Sequence, residues 1–162
     1  MESWQPAYVA VGSNLADPRA QVLEACARLR QLPRSRLVFT SRLYRSRPLG
    51  GQAQPDFVNA ATGLLTQLDA PTLLDELRAI ELAMGRPAER QRWAPRVIDL
   101  DLLSYAHERR SEPTLTLPHP GIVERNFVLY PLAEFAPDLD LPGLGRVAAL
   151  LAGVTSEGLT LL

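Results

Sequence analysis

The stretch RVIDLDLL, residues 96–103, has the composition of a core strand and yet carries two carboxylates. Period-two alternation puts Ile98, Leu100 and Leu102 on one face and Val97, Asp99, Asp101 and Leu103 on the other. Burying an unpaired carboxylate costs several kcal/mol. The acid-bearing face must therefore be open, or hold a cation between the two side chains.

Upstream of this strand the chain supplies the rest of a sheet. AYVAV (7–11) reads as a short apolar strand ending at the turn cluster Gly12-Ser13-Asn14. A helix follows from Pro18, with Val22, Leu23, Cys26, Leu29 and Leu32 at three- and four-residue spacing. Residues 37–44 (LVFTSRLY) read as a strand and 46–56 (SRPLGGQAQPD) as a Gly- and Pro-rich loop. A third strand is expected over 57–66. Asp69-Ala70-Pro71 opens a second helix, whose stripe of Leu73, Leu77, Ile80 and Met84 ends at Gly85.

After the acid-bearing strand, His107-Glu108-Arg109 reads as a hairpin turn and 114–117 as a short strand. LPHPG (117–121) is a stiff loop before a helix over 126–135, followed by a small helix at 147–151 and an apolar tail. The order β, α, β, β, α, β is that of the ferredoxin-like split βαβ arrangement: an α+β fold with an antiparallel sheet and both helices on one face. The C-terminal helices would cover the other face, giving a three-layer αβα sandwich. At 162 residues the chain is expected to form one domain spanning 1–162.

Composition excludes several classes. A net charge of −1 argues against a broad nucleic-acid footprint. No run reaches the roughly 20 apolar residues of a membrane span, and the first residues lack a secretory pattern, so a cytoplasmic location is expected; a monomer is the default expectation, though no pattern in the sequence sets oligomeric state. Cys26 is the single cysteine and falls on the core stripe of its helix. All 17 basic residues are arginine, which excludes a P-loop lysine, a kinase-type lysine and Schiff-base chemistry.

Asp99 and Asp101 lie about 7 Å apart along the strand, so both carboxylates reach one hard divalent ion or a close pair. Magnesium suits the site, since it takes one or two protein carboxylates and fills its octahedron with water and phosphate. A bare D-x-D also occurs on solvent-facing strand edges. The preceding segment GRPAERQRWAPR (85–96) weighs against that reading, because Arg86, Arg90, Arg92 and Arg96 can grip phosphate through their planar forks. Glu81 falls on the apolar stripe of the second helix and needs a donor, or else is a rim residue with its head in water.

His119 is aimed by Pro118 and Pro120, and Arg125 and Phe127 open the next helix, where an anion is favoured. Phe57, Trp93 and Phe127 can stack on a flat heterocycle, and Asn59 offers it a donor and an acceptor. For any one aromatic, core packing is the commoner role. Trp4 and His107 read as surface residues.

With these segments in view, the sequence resembles the 6-hydroxymethyl-7,8-dihydropterin pyrophosphokinase family. The likeness is carried by AVGSNL (10–15), YRSRPLGGQAQPDFVNA (44–60), RWAPRVIDLDLL (92–103) and LPHPGIVERNFVLYPL (117–132). It implies transfer of pyrophosphate from ATP to the pterin alcohol in folate biosynthesis, with in-line attack on the β-phosphorus and release of AMP. By the resemblance, Asp99 and Asp101 ligate two Mg2+ ions, and Arg86 and Arg96 hold the transferring phosphates. Glu81, Leu102, His119 and Arg125 fall at nucleotide-side positions. Ser46, Leu49, Phe57, Asn59, Trp93 and Phe127 fall at pterin-side positions, where Phe57 and Phe127 sandwich the ring and Asn59 reads its edge. Phe57 stands where a Tyr is common, and Ser46 where a Thr is.

Two other classes stay open on the residues alone. A metal-dependent nucleotide phosphohydrolase also uses paired acids and arginines, but lacks an evident base here. A non-catalytic RNA-binding module shares the fold, though the acids and near-neutral charge speak against it.

Overall fold

The computed structural model describes residues 3–48, 53–85 and 97–162. Four long or central strands make the sheet: β1 (Gln5–Ser13), β3 (Tyr44–Ser46), β4 (Phe57–Thr66) and β5 (Asp99–Tyr105). They lie in the order β3-β4-β1-β5, every pair antiparallel, which is the split βαβ order. Two further strands extend it, β2 (Ser35–Thr40) beside β4 and β10 (Leu159–Leu161) beside β3.

Helices α1 (Pro18–Leu29) and α2 (Ala70–Ala83) start in the same way. Asp17 and Asp69 accept the N–H of Ala20 and Thr72 at 3.3 and 2.9 Å, and a proline occupies the first turn of each. Both helices pack on one sheet face. There Val22, Cys26, Leu29, Leu73 and Leu77 meet Val9, Val11, Ala60, Leu100 and Leu102. Leu23, expected on the same stripe, is instead 53% exposed, because the stripe is narrower than three- and four-residue spacing alone suggests.

The opposite face is covered by α3 (Asn126–Ala133) and α4 (Val147–Leu151), whose Leu129, Leu132 and Val147 pack with Ala61 and Leu103. The three-layer expectation holds. Two minor hairpins, β6 (Arg110–Ser111) with β7 (Thr116–Leu117) and β8 (Asp140–Leu141) with β9 (Gly145–Arg146), stand apart from the main sheet. No helix among the described residues is long and apolar enough to cross a membrane.

The single strand expected over 37–44 is broken into β2 and β3. At Ser41 the backbone N–H donates to the Ala61 carbonyl, but the return bond from the Ala61 N–H goes to the Ser41 hydroxyl instead of a carbonyl. A side chain has replaced one rung, and the chain re-enters the ladder only at Tyr44. The apolar tail is not loose either: Leu159 and Leu161 pair with Ser46 and Tyr44.

Candidate active site

The acid-bearing strand alternates as its sequence requires, up to a point. Ile98, Leu100 and Leu102 are buried against α1 and α2, while Asp99 and Asp101 are half-buried on the α3 face. The register with β1 then slips. Val9 pairs with Leu102 and Tyr8 with Ser104, so Leu103 is the extra residue of a bulge. Leu103 joins the α3-side core and Tyr105 returns to the α1/α2 side.

The bulge is where the Pro-bracketed loop docks. The backbone N–H of His119 donates to the Leu103 carbonyl at 2.9 Å, which puts the imidazole beside Asp101, Nε2 to Oδ1 at 3.9 Å. The other ring nitrogen, Nδ1, accepts the Gly121 N–H at 3.1 Å. That bond assigns the proton of the neutral ring to Nε2, the nitrogen turned toward the acids. Burial, then the nearby Arg125 charge, lowers the His119 pKa to about 4, partly opposed by Asp99. The ring is therefore a neutral donor at pH 7. Arg125 itself brings Nη1 to 4.0 Å from Asp101 Oδ2, and its guanidinium lies over the Phe127 ring at 5.9 Å.

A second group of side chains shares this sheet face. Gly12 of β1 is in register with Asp99 on one side and Asn59 on the other, and Asn59 with Tyr44 beyond. Asn59 is buried, and its Oδ1 accepts the Ser46 hydroxyl at 2.6 Å. That bond anchors the amide against the edge of β3. Phe57 is in register with Ser46 on the same face. Ser46 and Phe127 line one cleft of about 400 Å³, with Arg47, Asn126 and Glu157 on its wall.

Two sequence-derived residues lie elsewhere. Leu102 is 3% exposed, and its side chain belongs to the α1/α2-side core, not the acid-bearing face. Glu81 is equally buried and is no rim residue: its Oε2 accepts the backbone N–H of Leu100 at 2.8 Å, pinning β5 between its two acids. Leu49, Arg86, Arg90, Arg92, Trp93 and Arg96 fall outside the described residues.

The structure also brings in side chains that were read only as turn or helix positions. Asn14 is buried and donates from Nδ2 to Gln54 Oε1 and the Pro55 carbonyl, tying the end of β1 to the approach to Phe57. Asn126 donates from Nδ2 to the carbonyls of Thr155 and Glu157, both at 2.9 Å, holding the C-terminal segment against the cleft. Both pairings are long-range, so only the motifs AVGSNL and ERNFVLYPL gave a signal for them.

The two carboxylates suit magnesium in chemistry and placement. They are hard oxygen donors, half-exposed on one face, and no cluster of three or more potential ligands exists among the described residues. An ion that completes its shell with water and phosphate needs no fuller cage.

The model of the 7,8-dihydro-6-hydroxymethylpterin-pyrophosphokinase (HPPK) family matches residues 8–137. The chain belongs to that family. It is an ATP-dependent pyrophosphokinase by that membership. The 2-amino-4-hydroxy-6-hydroxymethyldihydropteridine pyrophosphokinase of Pseudomonas aeruginosa is 48% identical over 155 residues, covering 96% of this chain and 95% of its own. The enzyme of the same name from Haemophilus influenzae is 47% identical over 145 residues, covering 90% of each chain. Among solved structures, Plasmodium falciparum HPPK-DHPS A437G with SDX-DHP superposes with a TM-score of 0.75 at 14% identity, over 94% of this chain and 46% of that one. At that identity the likeness speaks for the HPPK fold, and this chain spans under half of the two-part protein.

Proposed function

We propose that the protein transfers the pyrophosphoryl group of ATP to the alcohol of 6-hydroxymethyl-7,8-dihydropterin, releasing AMP, as a step of folate synthesis. The observation that carries this is the register across β1: the acid Asp99 and the amide Asn59 flank one glycine, so a phosphate-handling side and a heterocycle-reading side adjoin on one sheet face. Bound at Asp99 and Asp101, two Mg2+ ions would neutralise phosphate charge and lower the proton affinity of the acceptor alcohol.

The chain's own groups divide the remaining work. His119 donates from neutral Nε2 to a phosphate oxygen, and Arg125, with Arg86 and Arg96, offsets charge on the transferring group. Phe57 and Phe127, with Trp93, stack on the pterin. Asn59, oriented by Ser46, reads its hydrogen-bonding edge, with Leu49 on the same side. Glu81, from α2, and Leu102, whose side chain seats β5 in the α1/α2-side core, serve the nucleotide side by fixing β5, since both are buried opposite the acids. No residue needs to act as nucleophile, because the acceptor oxygen attacks the β-phosphorus directly. The same reading has one domain acting as a cytoplasmic monomer, without nucleic-acid or membrane partners.

The test is AMP formation from Mg·ATP with and without the pterin alcohol. Release that requires the pterin, together with the dihydropterin diphosphate as product, is expected. AMP or ADP formed at the same rate without the acceptor would refute the reading and point to a phosphohydrolase.

A further inference from the structure

We propose that Gly12 sets acceptor recognition, by leaving vacant the space that the Asn59 amide occupies. The proposal rests on the reading that Asn59 recognises the heterocycle.

Glycine within a paired strand weakens it, and Gly12, the penultimate residue of β1, is paired on both sides, so its presence there needs a reason. Backbone conformation is not the reason. Among the described residues the glycines with positive φ are Gly85, Gly143, Gly145 and Gly158, and Gly12 is not one of them. Space is. A Cβ on Gly12 would lie 2.8 Å from Asn59 Nδ2, closer than such atoms approach, while Phe57 Cδ1 and the Val58 carbonyl stay at ordinary distances of 3.8 and 3.9 Å.

Retreat of the Asn59 side chain works against its anchoring. Its Oδ1 is held by the Ser46 hydroxyl at 2.6 Å, and both residues are buried. A methyl group at position 12 must push the amide aside, against the bond that anchors it. Along β1 the residues on this face shrink toward the site, Tyr8 to Ala10 to Gly12, in register with Ser104, Asp101 and Asp99. Tyr8 and Ala10 pack against the α3-side core, whereas Gly12 sits where the face is given over to Asn59. Gly12 is thus a positioning residue for the acceptor, acting through another side chain.

The experiment is a double-mutant cycle on Gly12→Ala and Asn59→Ala. Binding of 6-hydroxymethylpterin is measured by fluorescence in Mg2+ and a nonhydrolysable ATP analogue, and analogue binding is measured separately. Gly12→Ala should weaken pterin binding roughly ten- to a hundredfold, the loss expected from one or two buried hydrogen bonds, with nucleotide affinity changed less. In the Asn59→Ala background, Gly12→Ala should add nothing, since no amide remains to be displaced.

Unchanged pterin binding by Gly12→Ala overturns the proposal, as does an equal loss in both backgrounds, which would mean an effect through the strand itself. If Asn59→Ala alone binds pterin normally, the reading of Asn59 fails and the proposal with it, a result distinct from failure at Gly12 alone. Should Gly12→Ala not fold, the double variant should recover the fold; a double variant that also fails to fold overturns the proposal.

Discussion

The His119 N–H donates to the carbonyl of Leu103 at 2.9 Å, and Leu103 is the β5 residue that the register with β1 skips. The bulge therefore has a definite consequence. It turns a strand carbonyl outward for a loop to grasp, and that grasp places a neutral imidazole 3.9 Å from the carboxylate two residues earlier in the strand.

Asp99 and Asp101 are half-exposed and lie on the face away from the main helix-strand core. Asp99→Ala and Asp101→Ala should each lower turnover by about 100-fold or more, the scale of losing metal-ion stabilisation of a transferring phosphate. Circular dichroism and melting should change little. Wild-type turnover in either variant would remove that acid from the metal site.

Glu81 should matter for stability and for the site together. Glu81→Ala leaves the buried Leu100 N–H without this acceptor, at a cost of about 1–3 kcal/mol. Because Leu100 separates the two acids, Mg2+ affinity should fall in the same variant, while Glu81→Gln, which keeps an acceptor oxygen, should lose less of both. Urea unfolding and metal titration in the presence of nucleotide check the two effects.

Tyr44 carries an alkaline signature. Its hydroxyl donates to the Glu134 carboxylate, and burial together with that neighbour pushes its pKa from 10.0 up to about 12. Below pH 10 the folded and unfolded chains hold this proton alike. Between pH 10 and 12 the unfolded chain releases it first, so stability falls as pH rises through that window. Tyr44→Phe should reduce the slope of stability against pH there, read from urea unfolding at several alkaline pH values; an unchanged slope would contradict the shift.

Asn126 should tie the C-terminal segment to the acceptor side. Asn126→Ala removes two hydrogen bonds, each worth roughly 0.5–1.5 kcal/mol. Amide exchange in β10 should quicken, and the KM for the pterin should rise several-fold with little change for ATP. Equal effects on both substrates would argue against a role at the cleft.

The legible parts of this molecule are those governed by local rules. Asp69 and Pro71 mark the start of α2, and the alternation through Leu102 assigns each β5 residue to its side. What escaped depends on partners far along the chain. Ser41 substitutes its hydroxyl for a rung, a choice visible only once Ala61 lies opposite. Leu159–Leu161 is too short to declare itself a strand without the edge of β3 beside it. Glu81 looked like a misplaced charge on an apolar stripe because its donor is a backbone amide 19 residues away. Gly12 read as part of a turn, whereas its lack of a side chain answers to Asn59 on the neighbouring strand.

Among the described residues β5 ends the sheet, paired with β1 on one side only. A terminal strand normally offers its outward N–H and C=O groups to any passing chain, the usual starting point for intermolecular ladders. Here the Leu100 amide is taken by Glu81 and the Leu103 carbonyl by His119. This border of the sheet, which carries both aspartates, is thereby a poor template for another strand, and substitutions at Glu81 or His119 should make the protein more prone to self-association at high concentration.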